Sequence, residues 1–217
     1  MDYEGLVTHV GNATYAAQAI VALWGAYCVV MVWRRVAQKR FRNEEAQIEF
    51  LTSIEEPLES GKYDAANDIC EGDPRAVPQL THLAITNRNL GFSKVRQIVV
   101  DRFQRDLMAD LEYRISWINM VIKSEPMLGL FGTVLGMMGA FAKLAAAETV
   151  KPTELAADIS LALITTAIGL AVAIPLGIAM AAINVRIKGM EDLAISGLTH
   201  VLESLRNGME SRGGRGG

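Results

Sequence analysis

Two threonines set inside long apolar runs, Thr133 and Thr166, are the residues of this chain best placed to do chemistry. A hydroxyl can pass on a hydrogen bond, but it does not hold a proton reversibly at neutral pH. Charges are costly inside a bilayer and mark ion paths where they occur, yet neither run has an Asp, Glu, His, Lys or Arg near its centre. If these segments line a proton route, the titrating carboxylate must come from another chain. Three ionisable groups stand at the margins: Glu125, Lys143 and Asp158. Glu125, just before Pro126, faces either a water-filled exit or the headgroups. Lys143 and Asp158 flank a short loop. A snorkelling lysine and a helix-start aspartate are the plainer reading, and a vestibule is the alternative. His9, His82 and His200 are scattered, and no nucleophile, metal-ligand or phosphate-loop constellation supports catalysis or a cofactor.

Glycines surround the first threonine. On a helical wheel Gly129, Gly132, Gly136 and Gly139 share an arc of about 80°, Thr133 lies about 40° beyond its edge, and Val134, Met137 and Phe141 fall opposite. Small residues at this spacing let helix backbones approach closely where lipid supplies no hydrophobic force between helices. Packing alone is the conservative interpretation. The second run repeats the device: Asp158, Ala162, Thr165, Thr166, Gly169 and Ala173 share about 100°, and Pro175 comes next, where its missing N–H should kink the helix. Two smooth, threonine-edged faces are suited to meeting each other or a third party. For either threonine alone, a hydroxyl bonded back to its own helix is the ordinary expectation.

The elements that must carry these residues are three transmembrane helices. The chain has 217 residues, 51% of them hydrophobic and only 6% aromatic, and the apolar ones are clumped. Ala13–Trp33 is free of charge over roughly 31 Å of helix, matching a bilayer core, and Ile159–Val185 is free of charge for longer. Cations come directly after the first span (Arg34, Arg35, Lys39, Arg40, Arg42) and the third (Arg186, Lys188), while none precedes Ala13. The N-terminus is therefore expected outside and the C-terminus inside. The organisation expected is a periplasmic N-terminus (1–12), spans at 13–33, 124–147 and 158–185, a cytoplasmic helical region (34–123), a periplasmic loop (148–157), a cytoplasmic C-terminal helix (186–210) and a flexible tail (211–217). Asp2 and Glu4 stand where a signal peptide would be basic, so the first span reads as an uncleaved anchor.

Within the polar region, Ile48, Leu51, Ile54 and Leu58 form one helical face ended by Gly61, and a short helix over Tyr63–Cys70 stops at Gly72, Asp73 and Pro74. Val95, Val99, Phe103, Leu107, Leu111 and Ile115 recur every four residues and run toward the second span. Ile187, Met190, Ala194, Val201 and Leu205 do the same after the third. Cys28 and Cys70 fall in different regions and read as structural thiols. The net charge of −3 argues against nucleic acid as a partner.

"PMLGLFGTVLGM" succeeded by "ALITTAIGLAVAIP" resembles the paired signature of the MotA/TolQ/ExbB proton-channel family, in its ExbB/TolQ-like branch. The detailed likeness covers roughly Trp117–Arg186. It implies an all-α membrane protein of the bacterial inner membrane, with long cytoplasmic helical extensions, assembling as a homopentamer. The pore of such an assembly encloses an ExbD/TolR-like single-span partner whose aspartate carries the proton, with a TonB/TolA-like protein as a further candidate partner. By the same resemblance Thr133 and Thr166 are pore-facing hydroxyls, and Gly132, Gly136, Gly169 and Pro175 occupy packing and kink positions. Leu161 departs from the pattern, standing where ExbB and TolQ carry a glutamate, and Glu125 stands where ExbB has a small residue.

Overall fold

Long runs of Ala, Leu, Ile and Met, punctuated by glycine rather than by turn clusters, dictate long helices. The computed structural model describes residues 3–146 and 152–213. The helices are α1 (Tyr3–Lys39), α2 (Glu44–Glu59), α3 (Tyr63–Cys70), α4 (Ala76–Thr86), α5 (Phe92–Arg102), α6 (Ala109–Ala146) and α7 (Pro152–Gly213). A 3₁₀ turn, Arg88–Leu90, precedes α5, and a π-helical segment, Phe103–Met108, joins α5 to α6. Three stretches, Ala13–Lys39, Phe92–Ala145 and Leu155–Ser211, are long and apolar enough to cross a membrane. The expected segment boundaries shift in three places. Residues 3–12 already belong to α1, α7 begins at Pro152, inside the expected 148–157 loop, and it runs on through 211–213 of the expected tail. Residues 147–151, at the junction of the second span and that loop, and 214–217 of the expected tail lie outside the described residues.

Two compact units emerge. Among the described residues, one takes the chain up to Met31 together with Arg114–Ala182, and the other takes Val32–Tyr113 together with the chain from Ile183. In the first unit, α1, α6 and α7 pack through small residues. A Cβ on Gly25 would stand 2.7 Å from Val121 Cγ1 and 2.9 Å from Leu176 Cδ1, so α1 lies close to both of the other helices there. Trp24 and Trp117 meet edge to face at 6.2 Å. Cys28 is buried in this unit, as are Ile118, Val121, Ala162, Ala173 and Met180.

The second unit is built from short helices packed on the distal part of α7. Asn43 caps α2, accepting the Ala46 N–H at 3.3 Å, and Gly61, with φ of 71°, turns the chain out of it. The buried face of α2 is Gln47, Phe50, Ile54 and Leu58. Ile48 is exposed and Leu51 only half-buried, so the face is rotated from the one expected. The amide of Gln47 donates to Leu193 O at 2.7 Å, which lets a polar residue occupy the core position. Helix α3 has the expected bounds and ends just before Gly72, with φ of 76°. Helix α4 is an addition to the expected organisation, although Ala76, Val77, Leu80 and Ala84 carry a helical spacing and are all buried. Its entry is fixed by Asp73, which accepts the Arg75 N–H at 2.9 Å and pairs with its guanidinium, while Arg75 covers the Phe41 ring at 4.0 Å. Burial, reinforced by neighbouring Asp73, pushes the Cys70 thiol up to about 12, so it stays protonated and inert at neutral pH. Ile187, Met190, Ala194, Val201 and Leu205 all turn inward as expected.

Near the end of α7, Gly208 lets the helix rest on the last turn of α2: a Cβ there would stand 2.1 Å from Leu58 O and 3.4 Å from Glu59 Cα. Leu58 O already accepts the Gly61 N–H at 3.1 Å, so it is held in place. Replacing Gly208 by Ala should destabilise the full chain by about 1–3 kcal/mol, read as a lower unfolding midpoint in detergent. An unchanged midpoint would mean that this contact is looser than the distances imply.

Candidate functional site

Helices α6 and α7 run antiparallel in the first unit, and the glycines of α6 determine how closely. A Cβ on Gly129 would lie 2.8 Å from both Thr165 O and Thr166 Cα, one on Gly132 2.6 Å from Thr165 Oγ1, and one on Gly136 2.5 Å from Ala162 Cβ. On the opposite helix, a Cβ on Gly169 would lie 2.6 Å from Glu125 O. The two glycine-bearing faces therefore close on each other within one chain, and the seam is not an open track for another subunit. Gly139, farther along α6, is half-buried, and Pro175 is exposed within an unbroken α7.

Close backbones bring the hydroxyls together. Thr133 Oγ1 reaches Gly129 O at 3.1 Å on its own helix, Ala162 O at 3.2 Å across the seam, and Thr166 Oγ1 at hydrogen-bond contact. Thr165 Oγ1 reaches the same two carbonyls, Gly129 O at 3.0 Å and Ala162 O at 2.7 Å. Each hydroxyl has one hydrogen, so it can satisfy only one of these acceptors at a time. The result is a compact polar knot whose hydrogens have more than one place to go. Thr133 and Thr166 are half-buried and reach the rim of the seam, whereas Thr165 is buried. Only the Thr133–Thr166 contact joins two groups that can each accept and donate, because a carbonyl accepts without passing a proton on.

Sequence reasoning placed Thr165 in the arc but gave it no role, and it missed the contribution of α1. Thr14 and Gln18 are buried at 5% and 1% exposure, and Gln18 donates its amide to Thr165 O at 3.0 Å. Their spacing of four residues in a charge-free span was the available signal. Tyr15 donates to Leu161 O at 3.1 Å; the Leu161 side chain itself is exposed.

The marginal charges divide. Lys143 Nζ and Asp158 Oδ2 pair at 2.8 Å, bridging α6 and α7 at the end of the seam, a contact that neither the snorkelling nor the vestibule expectation required. Glu125 corrects both sequence expectations: its side chain is fully buried by its own chain, facing neither headgroups nor open water. Neither of its carboxylate oxygens meets a hydrogen-bond donor, and Gln18 Oε1 is likewise without one.

Residues 89–196 match the sequence profile of the MotA/TolQ/ExbB proton channel family. Among curated proteins, the chain is 41% identical over 81 residues to the Tol-Pal system protein TolQ of Haemophilus influenzae, covering 37% of this chain and 36% of the relative. It is 37% identical over 89 residues to the Tol-Pal system protein TolQ of Pseudomonas aeruginosa, covering 41% and 37%. To the biopolymer transport protein ExbB of Pseudomonas putida it is 28% identical over 147 residues, covering 64% and 42%. The chain thus spans about two-fifths of the length of the curated relatives it matches.

Proposed function

The chain belongs to the MotA/TolQ/ExbB proton channel family, and from that premise we propose that it is a proton-channel and stator subunit of an inner-membrane motor of the ExbB–ExbD or TolQ–TolR type. Copies of the chain assemble as a homopentamer with the N-terminus periplasmic and the second unit cytoplasmic. They enclose an ExbD/TolR-like single-span partner whose aspartate carries the proton. Moving one charge through 100 mV is worth about 2.3 kcal/mol, so a few protons per cycle drive useful motion of that partner toward a periplasmic or outer-membrane process.

The observation that carries this reading is the paired hydroxyls of Thr133 and Thr166, half-exposed at the rim of the α6–α7 seam. They offer a mobile hydrogen bond to a passing acid without holding the proton themselves. The test is proton flux in vesicles holding the chain with its partner. Thr133→Ala and Thr166→Ala should each lower flux by about tenfold, the value of one hydrogen bond to a charged group. Unchanged flux in both variants would remove the assigned roles.

A second reading, a passive oligomeric scaffold, is favoured by one specific observation. Both Thr133 and Thr165 already bond to carbonyls of the two helices, as a structural clasp would. Under it, a protonophore leaves the chain's physiological output intact; under the motor reading the output collapses.

A further inference from the structure

Glu125 and Gln18 form a second polar cluster in the first unit, apart from the threonine pair. Glu125 sits on α6 about 12 Å of helix rise from Thr133, and it is fully buried. Gln18 on α1, 1% exposed, has its amide nitrogen fixed by Thr165 O at 3.0 Å. Both residues come close to Gly169 of α7: a Cβ on that glycine would be 2.6 Å from the backbone carbonyl oxygen of Glu125 and 3.3 Å from Gln18 Nε2. Gly169 thus supplies bare backbone where any larger residue would fill the space. Three buried oxygens remain without partners, Glu125 Oε1, Glu125 Oε2 and Gln18 Oε1. All three are acceptors when the carboxyl is ionised, so the cluster lacks a donor.

An ionised carboxylate without a donor or counter-charge is expensive in an apolar interior. Because Glu125 is completely covered by its own chain, no neighbouring subunit can reach it with a compensating charge. The packed faces bring none either. Gln18 of α1 and Gly169 of α7, the residues placed beside it, are uncharged, and on α6 the nearest cation in sequence, Lys123, is exposed. We propose that Glu125 is a proton-binding site contributed by this chain itself, a neutral carboxylic acid at rest, because its fully buried carboxyl oxygens meet neither a donor nor a counter-charge. A proton needs one acceptor beside it, whereas a metal cation needs a ring of oxygens, and the Thr165 oxygens are already engaged. Gln18, beside Gly169, leads toward the threonine pair: it bonds Thr165 O, and the Thr165 hydroxyl shares Gly129 O and Ala162 O with Thr133. Under the motor reading, the chain then carries its own titratable stop beside the route; the proton-binding site itself does not depend on that reading.

Infrared spectroscopy of the full chain in vesicles, without partner and in sodium-free buffer, reads the site directly. The wild-type chain should show a protonated carboxylic C=O band at neutral pH that disappears in Glu125→Gln and shifts when glutamate is labelled with carbon-13. Among the residues whose burial is described, no other carboxylate is buried. Superposable spectra of wild type and Glu125→Gln would overturn the proposal, as would loss of the band on adding sodium, which marks a metal-cation site. Should Glu125→Gln fail to assemble, the labelled wild type decides alone: a label-sensitive band at neutral pH supports the site and its absence overturns it. A negative infrared result leaves the flux test of Thr133 and Thr166 untouched, and the reverse holds too.

Discussion

Gly129→Val should separate α6 from α7 and take the threonine contact with it. The atoms in the way are backbone, Thr165 O and Thr166 Cα, each 2.8 Å from where the first added carbon would sit. A side chain can rotate aside, but a helix backbone has to move as a unit. Valine adds two further carbons to that position, so the seam opens and the Thr133–Thr166 pair loses contact. Overpacking of this kind costs about 1–3 kcal/mol per site and occasionally more, and valine lies at the high end because of its branching. A graded series, Gly129→Ala, →Ser and →Val, should lower the melting temperature in detergent step by step and reduce flux in parallel. Gly189→Ala is the control: nothing lies within 4 Å of its added carbon, and it is exposed, so helix propensity predicts a gain of about 0.5–1 kcal/mol. If Gly129→Val and Gly189→Ala melt alike, the seam does not hold the helices.

The glycine seam was legible because the wheel depends only on spacing, and Gly129, Gly132, Gly136, Ala162, Thr165 and Gly169 fall where that spacing puts them. The identity of the opposing surface is beyond the wheel. A stripped helix face fits a sister helix of the same chain as well as a neighbouring subunit, and only coordinates distinguish them. Thr165 shows a related limit. It shares the arc with Thr166, and the deciding fact, that it points at Gly129 O rather than the rim, is a matter of one helix rotation. Glu125 was the hardest. A glutamate at the end of a span ordinarily reaches water or headgroups, and its burial here is set by packing within the first unit, where Gly169, far away in sequence, lies against its backbone. Gln18 was overlooked because charge, not amides, is the usual mark of function in a span.

In the second unit, the short helices were partly legible for a different reason. Tyr63–Cys70 is bounded by turn residues on both sides, Gly61 and Gly72, whose positive φ enforces the breaks. Helix α4 lacks such a start. Pro74 and Pro78 obscure it, although a proline in the first turn is compatible with a helix because the N–H there has no intrahelical partner. On α2, Ile54 and Leu58 are buried as expected, but Ile48 and Leu51 misled because Ile48 and Phe50 compete for the core. Phe50 stacks on Phe41 at 5.6 Å and wins, leaving Ile48 outside.

Deleting Gln104 should be tolerated, while inserting one residue at the same place should unfold the second unit. Val95, Val99, Phe103, Leu107 and Leu111 repeat at strict intervals of four, and all five are buried. In a regular α-helix each such step overshoots a full turn by about 40°, so the fifth residue would drift by about 160° and face away from the core. The π-helical segment Phe103–Met108 lies in the middle of this series. A π turn acts as one residue inserted into an α-helix, turning the residues C-terminal to it back by about 100°. The remaining drift of about 60° fits within an apolar stripe of ordinary width. Gln104 is exposed, and removing it turns one interval of four into three, so a regular α-helix keeps Leu107 and Leu111 on the buried face. Stability should change by less than about 1 kcal/mol, with only the π hydrogen bonding exchanged for α. An inserted alanine does the opposite, turning Leu107 and Leu111 outward and Arg105 and Asp106 inward. Losing two buried leucines at about 1.5–3 kcal/mol each is a large part of the stability of a typical domain. Chemical denaturation of both variants in detergent separates the outcomes. If the deletion is as damaging as the insertion, the π segment is needed for its own geometry and the periodicity of the apolar stripe does not explain it.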